Sequence, residues 1–127
     1  MANPRLVFPK SSRLLQSAEY TRVFNDAIIR ASHSNLLILA RPNLLTHPRL
    51  GLVISKKNVR SAVNRNRIKR AIRESFRIKQ HNLPPIDAIV LARRGADTLE
   101  NDTLNNVLNT LWQKLVTKAS LITENGC

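Results

Sequence analysis

The stretch "GLVISKKNVRSAVNRNRIKRAIRESFR", residues 51–77, changes its period part-way. It opens on a short apolar run rich in Leu, Val and Ile, which reads as a strand. Further on, Ile68, Ala71, Ile72, Ser75 and Phe76 fall at helical spacing and mark one buried stripe. That stripe predicts a helix over about 61–80 with its inner side on a sheet. The rest of the helix is crowded with cations.

From Lys56 to Lys79 ten residues are basic, of 21 in the chain, and Glu74 is the sole acid. A solvated helix face normally mixes signs. Glu74 can pair with Arg70 or Arg77, but such pairs contribute only about 0.2–0.5 kcal/mol each. Arg65, Lys69 and Arg73 stand one turn apart and repel by similar amounts. The surplus makes sense on a surface that meets a polyanion. Arg outnumbers Lys by 14 to 7, and guanidinium grips phosphate through two donors and stacks on bases.

Composition bounds the rest. The chain has 127 residues, a formal net charge of +13, a pI of about 11.5 and 43% hydrophobic residues. One domain with a real core is expected. The strongest apolar run, "LLILA" at 36–40, falls far short of the roughly 20 residues a spanning helix needs. "MANPRLVFPK" has no signal-like apolar block. The expected location is the cytoplasm, with no membrane partner and no small-molecule substrate. Cys127 stands alone, so no internal disulfide forms.

Residues 1–16 read as an extended basic arm broken by Pro4 and Pro9. A first helix is expected over about 17–30, with Ser17 as N-cap and Tyr20, Val23, Phe24, Ala27 and Ile28 on one face. "NLLILAR" (35–41) and "RLGLVIS" (49–55) read as an antiparallel strand pair, and 29–34 as a possible further short strand. "IDAIVLA" (86–92) is a strand. A third helix covers about 100–117, with Leu104, Val107, Leu108, Leu111, Trp112 and Leu115 inward and a frayed tail over 118–127. The fold class is α+β: a single small domain, three helices and a mostly antiparallel central sheet of about four strands, in the order α-β-β-(β)-α-β-α.

Catalysis by the chain itself looks poor. His33, His47 and His81 are scattered and none has metal-ligand spacing. Asp97, Glu100 and Asp102 suit the start of the third helix through its dipole. No zinc-finger, basic-zipper or RNA-recognition-motif signature is present. Phe76 and Trp112 belong to buried stripes. Tyr20 and Phe24 are one turn apart, either core or a stacking platform for unpaired bases.

"RNRIKRAIRESFR" (65–77), preceded by "GLVISKKNVR" (51–60), resembles the signature of the protein subunit of bacterial ribonuclease P. "FPKSSRLLQSAEYTRVF" (8–24), "DAIVLARRGA" (87–96) and "LNTLWQKL" (108–115) extend the resemblance over about residues 8–117, of gamma-proteobacterial type. The resemblance implies a fold of the ribosomal protein S5 domain 2 type, with a left-handed β-α-β crossover around the basic helix. It implies a ribonucleoprotein endoribonuclease that removes the 5′ leader from precursor tRNA. The RNA subunit would carry the active site and hold the catalytic Mg²⁺, one protein serving one RNA. Arg65, Asn66, Arg67, Lys69, Arg70 and Arg73 would meet that RNA, with Lys56, Lys57 and Arg60 extending the surface. Asn66 would hydrogen-bond it or orient a hydrated metal at the interface. A cleft holding Tyr20, Phe24, Leu37 and Leu39 would bind the leader. The competing readings are a structural RNA binder of ribosomal type and a protein-only nuclease, which would need a cluster of acids or histidines on one face.

Overall fold

The computed structural model describes residues 10–125, and the first nine residues of the expected basic arm lie outside that range. Among the described residues the chain forms three α-helices and one four-stranded mixed sheet. The strands are β1 (Ile29–Ser32), β2 (Leu36–Pro42), β3 (Arg49–Val53) and β4 (Ile86–Ala92), in the spatial order β1-β2-β4-β3. The helices are α1 (Ser17–Asp26), α2 (Ala62–Lys79) and α3 (Asn101–Asn125). The architecture is the α+β one expected, and the short strand suspected at 29–34 is β1.

One pairing is corrected. β2 and β3 are not an antiparallel pair, because β4 lies between them, antiparallel to β2 and parallel to β3. An apolar run announces a strand but does not name its neighbour. α2 carries the chain from β3 to β4 in the same direction, so the basic helix is the crossover of a β-α-β unit.

α2 and α3 cover one face of the sheet. Ile68, Ile72 and Phe76 meet Leu104, Leu108, Leu111, Trp112 and Leu115 over Ile38, Leu50, Ala88 and Val90. The Trp112 indole N–H donates to Ser75 Oγ at 2.8 Å, and that hydroxyl donates to the Ile72 carbonyl at 2.9 Å. A stripe residue with a hydroxyl thereby satisfies the one polar atom the tryptophan brings inside. α3 continues past 117 to Asn125, so 118–125 is helical rather than frayed. The inward register carries on to Ala119, which is buried against the core. No described helix is long and apolar enough to cross a membrane.

α1 covers the other face, placing Val23 over Leu37, Leu39 and Ile89, and Leu14 from the arm joins that cluster. The helix stops at Asp26, four residues before the expected end, because Ala27 turns extended and leads into β1. Its N-cap is Gln16, not Ser17: the Glu19 carboxylate accepts the backbone N–H groups of Leu15 (3.0 Å) and Gln16 (3.1 Å). The open edge of β3 is covered as well. Leu14 N–H donates to the Leu50 carbonyl at 2.9 Å, and Leu52 N–H donates to the Tyr20 hydroxyl at 3.2 Å. The described part of the arm therefore packs along a sheet edge that would otherwise stay open.

Candidate nucleic-acid interface

The β3–α2 connection is built around Val59, which is fully buried and pins the loop to the core. Asn58 donates its side-chain amide to the Ala92 carbonyl at 2.9 Å, tying the loop to the end of β4. Ser61 caps α2 by accepting Asn64 N–H at 3.3 Å. Lys56, Lys57 and Arg60 ride on this fixed loop with their side chains exposed.

The Arg-Asn-Arg triplet opens α2, and its members do different things. Arg65 folds back to donate to the carbonyls of Val59 (3.0 Å) and Arg60 (2.8 Å), closing the loop behind it. Arg67 turns toward the β4–α3 connection. It donates to the Leu99 carbonyl at 2.8 Å, Asn101 Oδ1 at 3.1 Å, the Asp97 carbonyl at 3.2 Å and Asn64 Oδ1 at 3.4 Å. Four of its five N–H donors are thereby engaged. Asn66, between them, is exposed.

The outward cations are Arg70 and Arg73, with Lys69 half-buried beside them. Glu74 pairs with Arg77 rather than with Arg70. That hydrogen bond holds the Glu74 carboxyl below its ordinary range. Among the described residues, Lys56, Lys57, Arg60, Lys69, Arg70 and Arg73 have no ion-pair partner. A chain leaves six such charges around one crossover only at a cost in self-repulsion.

The α1 side is ordered by strand register. Three rows cross the sheet face under α1: Arg41–Asp87–Arg49, then Leu39–Ile89–Gly51, then Leu37–Leu91–Val53. Glu19 and Asp26, two turns apart, pair with Arg49 (2.5 Å) and Arg41 (3.3 Å) in the first row. Arg49 also grips Asp87 through two donors, at 2.8 and 2.7 Å. The hydrogen bond to Asp87 leads the effects that raise the Arg49 pKa. Helical geometry then puts Tyr20, Phe24 and Ala27 on the opposite flank of Val23. Tyr20 and Phe24 part company there. The Tyr20 ring rests on Gly51, where a Cβ would come within 2.8 Å of it, and its hydroxyl is held by Leu52. Phe24 is 45% exposed. Leu37 and Leu39 are each only 9% exposed, so they form a floor and do not project. A recess of about 260 Å³ joins the two regions, with Tyr20 and Leu15 on one side and Lys69 and Arg73 on the other.

Among the described residues, no group of three or more His, Cys, Asp or Glu is placed to hold a metal ion.

The Ribonuclease P family model matches residues 8–116. The chain belongs to the ribonuclease P protein family. It is 55% identical over 116 residues to the "Ribonuclease P protein component" of Saccharophagus degradans, covering 91% of this chain and 86% of that one. It is 51% identical over 110 residues to that of Photorhabdus laumondii, covering 87% and 92%. The variant is of the gamma-proteobacterial type. Among solved structures it resembles the RNase P protein of Staphylococcus aureus, with a TM-score of 0.76 at 30% identity, covering 82% of this chain and 94% of that one. The protein from Thermotoga maritima gives 0.68 at 26%, covering 80% and 96%. Family membership brings an RNA partner in a ribonucleoprotein and a part in tRNA processing by an endoribonuclease. Sequence reading missed the inward role of Arg67 and the Arg49–Asp87–Glu19 cluster. An aspartate in the otherwise apolar strand "IDAIVLA" was the available signal for the second.

Proposed function

We propose that the chain binds the catalytic RNA of ribonuclease P through the β3–α2 loop and the outward side of α2, and the 5′ leader of precursor tRNA beside α1. Lys56, Lys57, Arg60, Lys69, Arg70 and Arg73 neutralise phosphates of the catalytic RNA. Asn66 hydrogen-bonds that RNA or orients a hydrated metal against it. Arg65 and Arg67 hold the loop and the helix in place. Phe24 offers a ring to an unpaired leader base, over a floor that includes Leu37 and Leu39, and Tyr20 shapes the recess next to it. The RNA subunit carries the active site and its Mg²⁺, one protein serves one RNA, and the complex works in the cytoplasm.

The observation that carries this reading is the set of six cations without an ion-pair partner among the described residues, around a crossover whose backbone is clamped from inside. Electrostatic binding of this kind releases counterions and weakens steeply with salt. The test is reconstitution with the cognate RNA subunit at low Mg²⁺, on precursor tRNA labelled at its 5′ end. The protein alone is expected to cleave nothing, and the mixture to release the leader faster than the RNA by itself. No acceleration at low Mg²⁺ would remove the proposal. Cleavage by RNA-free protein would replace it with a protein nuclease.

A further inference from the structure

A second recess on α2 has a different chemistry from the cationic ridge. It is an open groove of about 550 Å³ between α2 and α3. Three carboxamides line it, Asn66 from α2 and Asn101 and Asn105 from α3, together with Arg70. Val63 and Ala71 supply its apolar surface, and Val63 is 77% exposed.

Apart from Arg70, the charges do not suit phosphate. Arg67 forms part of the wall, but its donors are committed to the carbonyls of Leu99 and Asp97 and to Asn101 Oδ1. Glu74 lines the same groove, and its pairing with Arg77 keeps it ionised. An ionised carboxylate repels an oxyanion. What remains is a neutral hydrogen-bonding wall: a carboxamide offers two donors and one acceptor in a plane. Arg67 takes the Asn101 oxygen, which leaves that residue's NH₂ group, while Asn66 and Asn105 have both functions to offer. Planar edges bearing donors and acceptors, with two apolar faces, are the complement of such a wall. Nucleobases have that form, and Asn pairs with base edges through two bonds. Their faces stack on guanidinium and apolar side chains. An unpaired base suits the groove better than a paired one, whose faces are stacked and whose major-groove edge lies too deep for side chains to read.

We infer that the α2–α3 groove holds one unpaired nucleobase of the RNA subunit, read by Asn66, Asn101 and Asn105 and stacked against Arg70. The inference rests on α2 being the RNA interface, and it adds a base-reading contact to a phosphate-binding one. Asn105 is its distinctive member, since α3 is otherwise outside that interface.

The full-length protein and the RNA subunit suffice to test it. Asn105→Ala replaces an exposed helical residue by a better helix former, so folding is preserved. It should weaken binding about tenfold, near the value of one good base contact. Asn109→Ala, on the same helix but outside the groove, should bind like wild type. The RNA is then scanned by removing single bases at unpaired positions. At one position, base removal should cost the wild-type protein more than that factor, and should cost Asn105→Ala about tenfold less than it costs wild type. The inference is overturned if Asn105→Ala binds as tightly as wild type, or if every base removal adds its full cost to the Asn105→Ala loss. Failure of the wild-type chain to bind the RNA subunit would overturn the interface itself, whereas the outcomes above leave it standing.

Discussion

α2 and α3 lie on the same face of the sheet and do the same work on their inner sides. Ile68, Ile72 and Phe76 on one meet Leu104, Leu108, Leu111 and Trp112 on the other, with the Phe76 and Trp112 rings 5.8 Å apart. Outside they are opposites. α2 carries seven cations and one anion in 18 residues, whereas α3 carries two of each in 25. The core asks nothing of α2 that α3 does not also supply with a neutral surface. The charge on α2 is therefore not a requirement of folding. The difference teaches that the core does not require the outward Arg and Lys on this helix, and that an exception must show itself by turning inward.

Substitutions should respect that division. The largest effect is expected inside. Trp112→Ala removes a fully buried ring and the N–H that Ser75 Oγ accepts, and should lower unfolding free energy by about 3–5 kcal/mol in urea titration. A loss below about 1 kcal/mol would mean the helices do not share one core. Outside, Arg70→Ala and Arg73→Ala should leave stability within about 0.5 kcal/mol. Each should reduce the slope of log affinity for the RNA subunit against log salt by about 0.7–0.9. Arg67→Ala is the case that sharpens the comparison. Its guanidinium ties α2 to the start of α3, so it should cost about 1–3 kcal/mol of stability. Its salt slope should match wild type. A slope reduced as much as that of Arg70→Ala would put Arg67 among the phosphate ligands.

Much of this was legible in advance. The stripes on α2 and α3 and the strand at 86–92 follow from period alone, because burial on one side forces that spacing. The separation of β2 from β3 was not legible, since strand order depends on where a crossover returns the chain. Nor was the turning of Arg67, whose partners are main-chain oxygens some 30 residues away and leave no mark on the residue itself. The excess of cations in α2 pointed to a polyanion, but the count could not sort the cations that clamp the fold from those left outward. Tyr20 had a faint signal. Gly51 interrupts an apolar strand, and an isolated glycine there points to a close approach, which the Tyr20 ring makes.

The cleft side offers a smaller test of the same division. Phe24 is half-exposed on a helix whose core residue is Val23. Phe24→Ala should therefore cost less than about 1.5 kcal/mol of stability, well under the 3–5 kcal/mol of a buried aromatic. Its expected effect is several-fold weaker preference for precursor over mature tRNA, measured by competition binding to the reconstituted complex. Unfolding of Phe24→Ala would return the residue to the core.

On the α1 side the smallest effect is expected where charges serve the fold and are paired. Burial pushes the Glu19 carboxyl up, but the N–H groups of Gln16 and Leu15 and the Arg49 guanidinium outweigh it and hold it below its ordinary value. A carboxyl lowered in the folded state stabilises it fully above the ordinary carboxylate pKa, and that contribution drains away as pH falls through the lowered value. Glu19→Gln should therefore be less stable than wild type at neutral pH by about 1 kcal/mol. The two should converge as the pH drops below about 4.5, the ordinary value for such a group. Arg70→Ala, with no carboxylate partner to lose, should instead track the wild-type stability curve through the same acid range. A Glu19→Gln deficit that stayed constant from neutral to acid pH would show that the carboxylate's charge is idle there, and that α1 is held by its packing on Leu39 and Ile89 alone.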